Sequence, residues 1–95
     1  MSSGPDRYTL VITPIARRQL AETLPEAVAM AVHEFIVGPL LSNPHRVGKR
    51  LHARLADRHS ARRGTYRVIY RIDDELRTVS VVDIAPRRDA YRGSR

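Results

Sequence analysis

The sequence predicts an α+β fold: an N-terminal strand, a helical hairpin, then an antiparallel β-sheet, in the order β-α-α-β-β-β. Three observations carry this. A short β-branched run opens the chain, two proline-started stretches with apolar residues at helical spacing follow, and alternation with period two dominates the C-terminal half. Helices grouped ahead of hairpin-linked strands pack together on one side of a sheet.

Each element has its own signal. "RYTLVIT", Arg7 to Thr13, is apolar and β-branched without a helical period, and reads as the first strand. Thr13 is a good N-cap and Pro14 suits the first helical position, where its missing N–H costs nothing, so a short helix follows over "TPIARRQLAET". Pro25, with Glu26 in the first turn, opens a longer helix through "PEAVAMAVHEFIVG". Leu24, Val28, Val32, Ile36 and Leu40 recur every four residues and, joined by Ala31 and Phe35, form one apolar stripe. Gly38 and Pro39 are expected to break or kink it near its end. "LSNPHRVGK" reads as a turn-rich connection, and "RLHARLADRH" as a basic loop running into a strand at about Arg58 to Arg63, with a helical turn as the alternative. Gly64 turns the chain into "TYRVIYRI", "DDE" (Asp73 to Glu75) turns it again, and "LRTVSVVDIA" is the last strand. A single domain is expected over residues 7–92, between a flexible N-terminus at 1–6 and a tail at 93–95.

Composition narrows the function. A chain of 95 residues buries only about 60–65% of its unfolded surface, so a shallow groove or open face is expected in place of an enclosed cavity. There is no cysteine, hence no disulfide or thiolate chemistry. The apolar stretch Ala27 to Leu41 is interrupted by His33, Glu34, Gly38 and Pro39 and is too short to span a bilayer; with no basic-then-apolar leader, a cytoplasmic protein without membrane contact is expected. The net charge of +7 is unevenly placed. Residues 1–44 hold three arginines against four acids, whereas residues 45–95 hold thirteen arginines and Lys49 against six acids, a balance of +8. A basic half of this kind is the expected footprint of a polyanion partner, because release of phosphate counterions drives binding whatever the sequence bound; codon bias toward arginine is the other reading, which accounts for the choice of Arg over Lys but not for the asymmetry between the halves.

The run "RRGTYRVIYRID", Arg62 to Asp73, sets four arginines among strand-forming residues. Period-two alternation puts Tyr66, Val68, Tyr70 and Ile72 on one face and Arg67, Ile69 and Arg71 on the other. The first face packs under the helices; the second is a wet, cationic face. The histidines, His33, His45, His52 and His59, are spaced by twelve, seven and seven, which matches no metal-ligand pattern, and no cofactor fingerprint is present, so neither metal nor cofactor is expected. His33 reads as an ordinary helix residue. His59 precedes the basic strand, where an unperturbed imidazole is expected to titrate near neutrality; a surface histidine without function is the other reading. In "APRRDAYR", the Arg87, Arg88 and Arg92 side chains can fork onto phosphate oxygens around Tyr91, whose ring serves equally to stack on a base, to handle a proton or to cover the edge of the core.

With "NPHRVGKRL", "HSARRGTYRVIYRIDD" and "VSVVDIAPRRDAYR" in view, the chain resembles the RelE branch of the RelE/ParE toxin superfamily, from about Arg7 to Arg92. The resemblance implies a RelE-like fold and a toxin of a bacterial type II toxin–antitoxin module: a ribosome-dependent endoribonuclease that cuts mRNA in the A site and so inhibits translation. It implies catalytic roles for Arg62, Arg67, Arg87 and Tyr91, with His59 as a further acid–base candidate. Lys49, Arg50, Arg58, Arg63, Arg71 and Arg88 are the accompanying RNA-binding candidates. The implied partners are the ribosome with its mRNA and a cognate RelB-like antitoxin, in a hetero-oligomer that binds operator DNA through the antitoxin. The alternative is the ParE branch, which shares the fold but acts on DNA gyrase without nuclease chemistry. Where many members carry lysines before the turn, this chain has Arg58 and His59; where others have glycine and histidine before the terminal arginines, it has Ala85 and Pro86.

Overall fold

The computed structural model describes residues 7–51 and 57–86. Strand β1 (Thr9–Ile12) leads into α1 (Pro14–Arg18), which widens into a π turn over Gln19–Thr23. Helix α2 (Glu26–Phe35) likewise widens over Ile36–Leu40, and a short α3 (Pro44–Val47) precedes β2 (Lys49–Arg50), β3 (His59–Arg63), β4 (Tyr66–Asp73) and β5 (Thr78–Pro86). The expected α+β architecture is present. The helices cover one face of a five-stranded sheet of order β1-β5-β4-β3-β2.

Three details add to or differ from expectation, each for a physical reason. The sheet is not wholly antiparallel: β1 runs parallel to β5, Thr9 opposite Thr78 through Ile12 opposite Val81. This pairing joins the two ends of the chain, and no local turn signal encodes it. Gly38 and Pro39 do break the regular α-helix near its end, but the chain stays helical: the backbone opens into the π turn, which tolerates the hydrogen bond that Pro39 cannot donate. Part of the "turn-rich" connection is helical, with Pro44 at the first position of α3. The helical alternative for "RLHARLADRH" falls largely on residues outside those described, although Arg50 belongs to β2.

The core lies between the helices and the inner sheet face. Leu24, Val32, Phe35, Ile36 and Leu40 from the stripe meet Ala61, Val68, Tyr70, Val79, Val81 and Ile84 from the strands. Ala31, expected in the stripe, is exposed instead. Burying each such aliphatic side chain is worth about 1.5–3 kcal/mol. Tyr70 is fully buried, and its hydroxyl donates to the Pro44 carbonyl at 2.6 Å, which ties α3 to the sheet. Burial pushes the Tyr70 phenol up to about 12, so it stays a neutral donor at physiological pH.

Two glycines are required for different reasons. Gly64 opens the two-residue β3–β4 loop with φ +61°, the positive φ that primed hairpin turns demand of their first residue. Gly48 has an extended backbone and is needed for space: a Cβ there would lie 2.4 Å from the Tyr70 hydroxyl and 2.8 Å from the Ser60 carbonyl oxygen. Gly48→Ala is therefore expected to lower unfolding free energy by about 2 kcal/mol, as overpacking does. Gly38→Ala, with nothing within 4 Å of its Cβ position, should be neutral or stabilising. Denaturant unfolding of the two variants checks this, and equal behaviour would refute the steric role of Gly48.

Candidate nucleic-acid interface

Strand register decides which cations share a face. In an antiparallel pair, directly opposed residues point to the same side, with Cβ atoms about 4.5–5.5 Å apart. Arg62 on β3 is opposed to Arg67 on β4, and Arg67 in turn to Ala85 on β5. Val68 and Tyr70 are buried beneath the helices, so the Arg62–Arg67 pair looks outward. Arg71, opposite Ser80, and Lys49, opposite Ser60, share this outer face. Arg62, Arg71 and Lys49 are exposed and Arg67, flanked by two neighbouring strands, is half-buried. Among the described residues, none of these four cations makes an ion pair. Like charges directly opposed across strands are destabilising by themselves, and they are relieved by an anion between them.

The other candidates fall elsewhere. Arg63 is opposed to Tyr66 and therefore sits on the helix side, its guanidinium 5.5 Å from the centroid of the Phe35 ring. His59, expected beside the arginine pair, is opposed to Tyr70 and stacks on its ring at 5.5 Å and 23°, on the helix side of the sheet. Arg50 is the register partner of His59 and shares that side. Strict alternation separates His59 from Arg62, three positions further along β3. Arg58 holds its Nε 3.9 Å from Asp57 Oδ1, buried from solvent without a hydrogen bond. Arg87, Arg88 and Tyr91 lie outside the described residues.

His59 belongs to a cluster that the sequence did not reveal. Tyr8 donates to Asp74 Oδ1 at 2.5 Å, His45 Nε2 meets both Asp74 oxygens at 2.9 and 3.1 Å, and the His45 ring stands edge-on to His59 at 5.9 Å. The hydrogen bonds from Tyr8 and His45 hold the Asp74 carboxyl below its ordinary range, and the Tyr8 phenol is raised in return. Burial, then the nearby His45 and Arg50 charges, hold the His59 imidazole below its ordinary 6.5, and its Nδ1 is buried without a partner.

Two further features flank the outer face. An open apolar groove of about 500 Å³ runs between α2 and the β3–β4 turn, lined by Ala27, Val28, Ala31, Arg63 and Tyr66. Along β5 the register slips between Ile69 and Tyr70: Tyr70 is opposed to Val81 and Ile69 to Asp83, leaving Val82 as a bulge. The bulge turns Ile84 into the core and Asp83 outward. Thr13 Oγ1 donates to the Val82 carbonyl at 3.3 Å, Gln19 Oε1 accepts from the Ile84 N–H at 2.8 Å, and Gln19 Nε2 donates to Asp83 Oδ1 at 2.8 Å. The sequence hinted at this only through the doublet Val81-Val82, which shifts the alternation of β5 by one.

Fold and face together define a small α+β protein with helices on one side of its sheet and, on the other, cations that make no ion pair among the described residues. The family model for the ParE toxin of type II toxin–antitoxin system, parDE, matches residues 6–91. Toxin RelE of Mycobacterium tuberculosis is 52% identical over 85 residues, 90% of this chain and 87% of that protein. Toxin RelG of the same organism is 51% identical over 85 residues, 90% of this chain and 97% of that one. Among solved structures, the toxin–antitoxin complex RelBE2 from M. tuberculosis matches with a TM-score of 0.81 at 49% identity, over 85% of this chain and 99% of that chain. A mutant of E. coli toxin RelE in the free state shares the fold, with a TM-score of 0.73 at 20% identity over 93% and 92% of the two chains. The chain belongs to the ParE-toxin family, within the RelE/ParE superfamily of type II toxin–antitoxin toxins. Among the described residues no helix is long and apolar enough to cross a membrane, and no group of three or more His, Cys, Asp or Glu is placed to hold a metal.

The His59 environment makes stability depend on pH. A folded-state pKa below the unfolded 6.5 means that the unfolded chain binds the proton more readily. The contribution is thus present above the unfolded value and is lost as pH falls below it, with the depressed Asp74 adding a second loss in more acid solution. Urea unfolding followed between about pH 7.5 and 5 should show stability falling on acidification in the wild type and a shallower fall in His59→Phe, which keeps the stack on Tyr70. Identical slopes would show that His59 does not titrate in this window.

Proposed function

We propose that this toxin is a ribosome-dependent mRNA endoribonuclease, and that the outer sheet face receives the scissile backbone. The observation that carries this reading is the Arg62–Arg67 pair: two guanidinium groups opposed across β3 and β4, on the face away from the helices, without a carboxylate partner. The two Mycobacterium toxins of RelE type at about half identity support the nuclease branch.

The chemistry suits such a face. Attack of a ribose 2′-oxygen on the adjacent phosphorus forms the 2′-O–P bond and breaks the bond to the 5′-oxygen of the next nucleotide, while negative charge builds on the non-bridging oxygens. Arginines aimed at those oxygens stabilise the transition state, one well-placed donor being worth about 3 kcal/mol in other enzymes. The 2′-hydroxyl proton must go to a base, and the 5′-oxygen must gain one. Arginine serves poorly for either transfer. His59 faces the other side of the sheet and Tyr70 is buried, which leaves Tyr91 as the acid–base candidate carried by the family resemblance. It follows closely in sequence on Pro86, the register partner of Tyr66. A site with so few acid–base groups relies on a substrate already held in line, and the ribosomal A site supplies that orientation. Cleavage of free RNA is accordingly negligible in this reading.

The partner in the cell is a RelB-like antitoxin. The supporting observations are the complex formed by the RelBE2 relative and the open apolar groove beside α2, which suits an apolar segment laid along the helix. The ParE family match keeps gyrase inhibition as the second reading.

Induction in cells separates the two readings: codon-phased mRNA 5′ ends are expected for the wild type, and DNA damage without them supports the gyrase alternative. Arg67→Ala should lower cleavage by about 10²–10³-fold and Tyr91→Phe by a comparable factor, both remaining folded. Full toxicity in both variants would overturn the nuclease assignment.

A further inference from the structure

We infer that Gln19 is a positioning residue for the cationic face: it holds the Asp83 carboxylate at the free edge of β5 and so keeps Arg67 and Arg62 available to phosphate. The inference rests on the RNA-binding reading above.

Among the described residues, Asp83 is the one acid placed by register among the outer-face positions that surround the arginine pair. Arg67 is opposed to Ala85, so Asp83 is its diagonal neighbour on β5, about 7–8 Å away and within reach of an arginine side chain. On charge alone the two should pair, yet no such ion pair forms. The reason is on the opposite side of Asp83. β1 pairs with β5 only as far as Val81, and beyond it the edge of β5 is free to meet the π turn after α1. There the Gln19 carboxamide is fixed at both ends, Oε1 accepting from the Ile84 N–H at 2.8 Å and Nε2 donating to Asp83 Oδ1 at 2.8 Å. A glutamine used only to satisfy the strand edge would need only the first bond. The second orients a carboxylate that would otherwise neutralise the anion site. The Val82 bulge completes the arrangement, because without it Asp83 would face the core and require no tether.

The test is binding of a short fluorescent single-stranded oligoribonucleotide, with deoxyribose at the cleavage position, to purified toxin over a range of salt concentrations. Gln19→Ala is expected to weaken binding roughly fivefold, the weight of one exposed ion pair. It should also lower the log–log salt slope by about 0.7, one phosphate contact on a single strand. Adding Asp83→Ala should restore both, while Asp83→Ala alone should change affinity by less than about twofold, since a half-buried carboxylate about 7–8 Å from Arg67 interacts with it far more weakly than one in contact, and salt weakens this further. Gln19→Glu keeps the acceptor for Ile84 but removes the donor, so it should fold natively and lose affinity in the same way; paired with Asp83→Ala it carries the native net charge and should recover. If the double variants bind as weakly as the single ones, Gln19 serves only the fold and the inference is overturned. If Arg62→Ala with Arg67→Ala binds RNA as the wild type does, the RNA-binding reading fails first, a result distinct from failure of the tether.

Discussion

The structure depends on a single extra residue in β5. Val79 and Val81 point into the core, and uninterrupted alternation would send Asp83 in after them and turn Ile84 out. Burying an unpaired carboxylate costs several kcal/mol or forces its neutralisation. The bulge at Val82 removes that conflict by changing the phase of the strand, so that Ile84 closes the core at 1% exposure and Asp83 reaches the outer face. A bulge exposes backbone groups, and here Thr13 and Gln19 satisfy them. Thr13 is also the N-cap of α1, its hydroxyl accepting from the Ala16 N–H. The start of the first helix and the end of the last strand are therefore fixed by the same side chains.

That constraint lets the two faces of the sheet do different work. The inner face carries the apolar load and closes, at the end of the sheet that carries the β4–β5 turn, with the Tyr8–Asp74–His45–His59 cluster, which joins the β1 lead-in, the β4–β5 turn, α3 and β3. On the outer face, Lys49, Arg62, Arg67 and Arg71 make no ion pair among the described residues. Like charges opposed on neighbouring strands cost a few tenths of a kcal/mol to about 1 kcal/mol. A fold under selection for stability alone would intersperse acids around Arg62 and Arg67, where Asp83 is the nearby acid among the described residues, whereas Asp57, Asp73, Asp74 and Glu75 are gathered at the far end around the β4–β5 turn, beside Arg71. Clustering of cations of this kind lowers local stability and, in the proposed reading, provides a surface that attracts phosphate.

Much of this was legible in the sequence because it obeys short-range rules. Thr13-Pro14 and Pro25-Glu26 mark helix starts, the four-residue recurrence from Leu24 to Leu40 marks the buried stripe, and period two along β4 separates Val68 and Tyr70 from Arg67 and Arg71. The same rule applied along β3 would have separated His59 from Arg62, but the register of β3 against β4 is needed to say which of them faces the helices. What escaped is non-local. Parallel pairing of β1 with β5, the hydrogen bonds of Gln19 across more than sixty positions, and the meeting of Tyr8 with Asp74 depend on how the finished sheet brings distant segments together. Gln19 in particular looks like any polar residue of a short helix until the free edge of β5 is laid beside it.

The size of the chain then constrains its chemistry. Among the described residues the sheet is covered on one side only, so the proposed anion site is open to water, and each charge on it is worth far less than in a desolvated pocket. Buried sites raise rates by shifting acid–base groups; this face has no such group among its described residues, since Tyr70 is neutral and interior and His59 faces away. Two guanidinium groups held at strand spacing supply directional charge and little else. An open, rigid, cationic face accelerates phosphodiester attack only when the nucleophile and leaving group are already aligned, and alignment must come from whatever presents the RNA. In the proposed reading, dependence on a presenting partner is a physical consequence of building the site on one exposed side of a five-stranded sheet.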